Sequence, residues 1–101
     1  PSERGRRSEE RVLDDLGLSP NREKVSSPEG NAIPDSLDDD VSVEIKDTQR
    51  VSNTRQIRIQ TDAARESGRT SILVTGNKTR VTRQAQESFD EIIRRPDLGP
   101  Q

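Results

Sequence analysis

The chain has 101 residues, 25% of them hydrophobic and 36% charged, with a formal net charge of -2, which leaves room for one small core. It contains no His and no Cys, which excludes a His general base, a Cys or Ser-His nucleophile, a His/Cys zinc centre and disulfide staples. Any metal must therefore be held by oxygen, which favours Mg²⁺ and allows Mn²⁺.

Leu, Ile, Val and Phe together make 21 residues, and Phe89 is the sole aromatic. That is the edge of the range of disordered chains, although the low net charge points the other way. Charge is uneven: residues 1–46 hold seven Lys/Arg against twelve Asp/Glu, and residues 47–101 hold ten against seven. The basic half can meet phosphates or simply be solvated. No apolar run is long enough to span a membrane and there is no signal-peptide pattern, so no membrane partner is expected and export would depend on another segment or machine.

In chain order, residues 1–7 are polar and expected to fray. A helix follows, with Ser8 as cap, Glu9 and Glu10 on the positive end of the dipole, an apolar stripe of Val12, Leu13 and Leu16, and Gly17 as stop. Residues 18–31 carry three turn signals and read as loop, with a short strand near Val25. A hairpin begins at Ala32. After it, Asn53 or Thr54 caps a helix with Ile57, Thr61 and Ala64 on its inner face, ended by Gly68. Thr70 to Thr75 is a continuous apolar strand suited to burial on both faces. Thr82 caps a last helix carrying Ala85 and Phe89, and Ile92-Ile93 forms a short closing strand before Pro96.

Chemistry concentrates between Ile33 and Asp47, I-P-D-S-L-D-D-D-V-S-V-E-I-K-D. Val41, Val43 and Ile45 alternate with Ser42, Glu44 and Lys46, the pattern of a half-buried strand. Its polar face carries a carboxylate and an ammonium about 7 Å apart along the strand. For Asp35, just upstream, to share that face its position must pair or nearly pair with Glu44, which a two-residue turn at Asp39-Asp40 would achieve and which a bulge could also correct. Glu9 either reaches this site from the first helix, with Glu10 as the alternate, or serves only the helix dipole. Gln56 falls in the first turn of the second helix.

An Asp after Pro on one strand, then Glu-x-Lys on the next, resembles the PD-(D/E)xK nucleases. Gly5-Arg6-Arg7-Ser8-Glu9, Val12 through Leu18, Ile33-Pro34-Asp35, Val43 through Asp47 and Ser52 through Ile57 together resemble the restriction-endonuclease-fold toxin domains of bacterial polymorphic toxins, over nearly the whole chain. Ser8 departs from the pattern, where a Gly often precedes the helix Glu, as does the lack of aromatics in the second helix and penultimate strand.

The resemblance implies an α/β (α+β) fold, a minimal restriction-endonuclease-like core in which a small mixed sheet is flanked by helices, with residues 1–101 as one nuclease domain. It implies an active site of Glu9, Asp35, Glu44 and Lys46, with Gln56 matching a Gln that follows the catalytic strand. Asp35, Glu44, the Ile45 carbonyl and Glu9 through water would then hold Mg²⁺. The implied activity is metal-dependent hydrolysis of phosphodiester bonds, with DNA favoured over RNA. Such domains are delivered from a producing bacterium, act in the target-cell cytoplasm and are neutralised by a cognate immunity protein. The alternatives are a non-catalytic nucleic-acid- or protein-binding module, or a largely disordered segment.

Overall fold

The computed structural model describes residues 2–101. In chain order they form α1 (Glu3–Leu16), β1 (Val25–Ser27), β2 (Gly30–Ala32), β3 (Ser36–Leu37), β4 (Val41–Lys46), β5 (Arg50–Val51), α2 (Arg55–Ser67), β6 (Thr70–Gly76), β7 (Arg80–Val81), α3 (Arg83–Ser88) and β8 (Glu91–Arg95). The central sheet runs β3-β4-β6-β8, with β3 antiparallel to β4 and the other neighbours parallel. This is the mixed, helix-flanked α+β architecture that the sequence implied.

Strand alternation splits the apolar residues into two cores. Val43, Ile45 and Val74 pack with Val12 and Leu13 of α1 and with Leu98, while Leu73 packs on the other face with Ile57, Ala85 and Phe89. Ile93 and Ile92 of β8 divide between the two clusters in the same way. A chain poor in apolar residues thus folds by serving both faces of one short sheet, and composition alone overstates its tendency to disorder.

Three elements differ from the sequence reading. First, α1 begins at Glu3, not after Ser8: the Ser2 side chain accepts from the Gly5 N–H, and Gly17 closes the helix at φ 67°. Of the stretch expected to fray, Pro1 lies outside the described residues, Ser2 is the cap and residues 3–7 are helical, held by Arg4, which is tied to Asp47, 43 residues away. Second, β4 is not half-buried. Its polar face lies beneath α2, with Ser42 4% and Glu44 3% exposed. Third, Phe89 is not in α3 but follows it in extended conformation.

The remaining helix caps follow expectation, with Thr54 and Gly68 bounding α2 and Thr82 starting α3. The loop region carries the β1–β2 hairpin, which covers the outer side of α2 through Arg58–Glu29 at 2.9 Å and leaves Ile59 fully buried. Short β5 and β7, which nothing in the pattern announced, pair in parallel beyond the ends of β4 and β6.

The tail after β8 is folded back. Leu98 is fully buried, and a Cβ on Gly76 would stand 2.1 Å from the Leu98 carbonyl oxygen, so that strand position admits only glycine. Among the described residues, no helix is long and apolar enough to cross a membrane.

Candidate active site

The β3–β4 hairpin has the register that the site requires. Ser36 pairs with Val43 and Leu37 with Ser42, so the next positions in the same register are Asp35 and Glu44. The Asp38 N–H donates to the Val41 carbonyl at 3.0 Å, leaving Asp39-Asp40 as a two-residue loop. Among the described residues only glycines have positive φ, so this is not a primed turn of the usual hairpin kind. Instead the Asp38 carboxylate accepts from the N–H groups of both Asp40 and Val41 at 2.8 Å.

Backbone pairing stops at Ser36, and the Asp35 side chain takes over: its Oδ2 accepts from the Ile45 N–H at 2.7 Å. Because the N–H and C=O of one strand residue point to the same edge, the Ile45 carbonyl also faces the gap that β3 has vacated. Glu44 projects from the α2 face, and Lys46 Nζ lies 3.4 Å from its Oε2. Gln56 Nε2, one turn into α2, stands 3.5 Å from the same oxygen, at the limit of a hydrogen bond.

Glu9 reaches the gap from α1, on the opposite face of the sheet. It is mid-helix and not in the first turn, so service to the helix dipole does not explain it. Burial and the neighbouring Asp35, with Glu10 adding a little, push its carboxyl up to about 7. Asp35 is also raised to about 7, by burial and the charge of Glu44, against the Ile45 N–H and Glu9, which favour its ionised form. Glu44 too is raised, by burial, although Lys46 works against it.

Sequence reading missed Gln60, which is 2% exposed. It turns its amide toward Glu44 and favours the carboxylate, yet among the described residues Gln60 Nε2 and Glu44 Oε1 are both buried without a hydrogen-bond partner. The signal was available: Gln60 follows Gln56 by four residues, one helical turn along the same stripe. Ser8, the departure noted above, is also accounted for. It is 2% exposed, and its hydroxyl donates to Asp47 in a tie that a glycine could not make.

A buried carboxylate oxygen with no donor costs several kcal/mol relative to hydration, and here it belongs to an acid that adjoins a second carboxylate, Asp35. Such an oxygen-only donor set fits a small hard cation. Among the described residues no three Asp or Glu side chains converge as a complete ligand group.

The model of one protein family, restriction endonuclease fold toxin 7, matches residues 5–85, a span that contains every element of this site. The chain belongs to that family. It is a toxin domain of restriction-endonuclease fold and so falls in the nuclease class. No curated protein and no solved structure matches it. The matched span stops short of β8 and the folded-back tail, which the structure adds to the sheet and to the α1 core.

Proposed function

We propose that this domain is a divalent-metal-dependent endonuclease, delivered as a toxin into the cytoplasm of a target cell and neutralised there by a cognate immunity protein. DNA is the favoured substrate, in keeping with the enzymes for which the fold is named. The observation that carries the reading is Glu44, an acid 3% exposed with one oxygen left without a partner, beside an Asp35 that burial and that same Glu44 push up to about 7.

Asp35, Glu44 and the Ile45 carbonyl would hold Mg²⁺, with Glu9 joining through water. A divalent cation held there would supply positive charge against the scissile phosphate and acidify a water at its side. The chain's own groups divide the remaining work. In-line attack by water forms a new P–O bond and breaks the bond to the leaving oxygen, and charge builds on the phosphoryl oxygens meanwhile. Lys46, with its side chain 31% exposed and its ammonium beside Glu44, neutralises that charge. Glu9, whose carboxyl exchanges its proton near 7, accepts the proton released by the water. Gln56 orients the water or a phosphate oxygen, and Gln60 keeps a dipole on Glu44 that favours its ionised form.

Purified protein incubated with plasmid DNA and with total RNA, with and without Mg²⁺, tests this directly. The expected result is loss of intact DNA that requires metal and falls by about 10²-fold or more in Lys46→Ala. Cleavage of RNA alone would keep the site and change the substrate. A protein that cuts neither with Mg²⁺ or Mn²⁺ ends the nuclease reading.

A further inference from the structure

Most of the seventeen Lys and Arg side chains are engaged inside the fold, as Arg4, Arg11, Arg58 and Arg95 are in ion pairs. Three unengaged cations, Arg6, Arg22 and Lys24, lie elsewhere in the chain, and the other four are Arg50, Lys78, Arg80 and Arg83. Among the described residues none of the four makes an ion pair or a side-chain hydrogen bond, and all are exposed. They gather on the β5–β7 ladder and its flanks. From Ser67 to Gln86 there are four cations and no Asp or Glu.

Arg50 is in register with Arg80, so their side chains leave the same face about 4.8 Å apart. Like charges set directly opposite each other across strands are destabilising, and here no carboxylate relieves them. The backbone beneath is firmly held. Val51 and Val81 turn inward to the Ile57 and Phe89 cluster, the Arg80 N–H donates to Gln49 O at 2.9 Å, and Arg94 donates to the carbonyls of Gly76 and Thr79. The platform is therefore fixed in advance of any ligand.

Its position relates it to the site. The chain leaves Lys46, passes Arg50 and returns to Gln56, which places Arg50 within about 14 Å of Lys46 by chain length alone. That is the side of the sheet where the parallel strands β4 and β6 end, the usual place for ligands on such sheets.

We propose that Arg50 and Arg80, flanked by Lys78 and Arg83, form a second phosphate site that takes the sugar-phosphate backbone of the nucleic-acid substrate a few nucleotides from the scissile bond. This rests on the nuclease reading and deepens it. Paired guanidiniums match phosphate oxygens in bidentate fashion and read no base. A protein partner is the poorer fit, because protein interfaces centre on apolar and aromatic side chains, and the exposed large hydrophobics, Leu16 and Ile33, belong to other elements.

The experiment uses the Lys46→Ala protein, so that cleavage does not interfere, and a fluorescently labelled DNA duplex titrated at several salt concentrations. Adding Arg50→Gln and Arg80→Gln together should lower the slope of log affinity against log salt by about two and weaken binding by about tenfold or more at ~0.1 M salt. The melting temperature should hold or rise. Lys24→Gln, beside Leu37 and Arg69 at the other end of the sheet, should leave the slope unchanged. An unaltered slope in the double variant, or an equal fall with Lys24→Gln, overturns the proposal. So does intact DNA binding with lost binding to polyglutamate, which would assign the patch to an acidic protein. Because the background is already inactive, a wild-type protein that cuts nothing would sink the nuclease reading separately.

Discussion

Two carboxylates three residues apart in the chain, Glu44 and Asp47, have side chains 4% and 3% exposed, Glu44 deep beneath α2 and Asp47 near the surface under the exposed Arg4 guanidinium. The fold completes one and leaves the other incomplete. Asp47 accepts from Arg4 twice, from Ser8 and from the Gly99 N–H. Burial works to raise its carboxyl, but those donors outweigh it and hold the group below its ordinary value. Glu44 has Lys46 at 3.4 Å and Gln56 at 3.5 Å on one oxygen, nothing on the other, and a raised carboxyl. Burial alone therefore does not mark a functional acid; an unfinished coordination shell does.

The comparison breaks most readily at Asp47. Asp47→Ala leaves the Ser8 hydroxyl and the Gly99 N–H without their acceptor and removes the carboxylate that ties α1 and the tail to the end of β4, and it should cost about 3 kcal/mol in urea or thermal unfolding. Glu44→Gln should act in the opposite direction, stabilising the metal-free protein by about 1 kcal/mol, since a neutral amide replaces a buried acid that Lys46 and Gln56 meet on one oxygen only. If both substitutions destabilise alike, the two acids are equivalent parts of the fold and the distinction fails.

A pH series separates them further. Glu9 and Asp35 stand at about 7 in the folded protein against ordinary values of 4.5 and 3.8. Between those values the folded chain holds protons that the unfolded chain has released, so the stability these groups contribute is whole at acid pH and is lost as pH rises through 7. Asp38, Asp47 and Asp97 are held low and stay ionised across that window. The melting temperature of metal-free protein should therefore fall from about pH 5 to about pH 8. Mg²⁺, which competes with those protons, should restore more at the higher pH. A flat metal-free profile, or a Mg²⁺ effect independent of pH, would show that the acids do not meet as described.

How far the sequence foretold this follows from what kind of contact each feature needs. The hairpin register was legible because a period of two, one turn and the need for Asp35 to oppose Glu44 are local constraints. Thr54, Gly68 and Thr82 were legible as caps for the same reason. Burial of the polar face of β4 was not, because it depends on where α2 and the β1–β2 hairpin come to rest, and alternation looks the same whether solvent or a helix covers the polar side. The start of α1 was misplaced because the residue that anchors its first turn, Asp47, is 43 positions from Arg4.

The finest test falls on Gln60, whose buried Nε2 has no hydrogen-bond partner among the described residues. Gln60→Leu keeps the volume roughly and removes an orphaned donor, so the apo protein should be at least as stable as the parent. If the amide serves only packing, nothing else changes. If it keeps Glu44 ionised for a cation, the variant should need about tenfold more Mg²⁺ to reach the same melting shift and the same cleavage rate, in the range seen when a supporting group behind a metal ligand is lost. Lower stability with an unchanged Mg²⁺ requirement would make Gln60 a core residue that happens to be polar. A raised requirement with stability intact would mean that the unfinished shell around Glu44 extends into α2, the element that covers it.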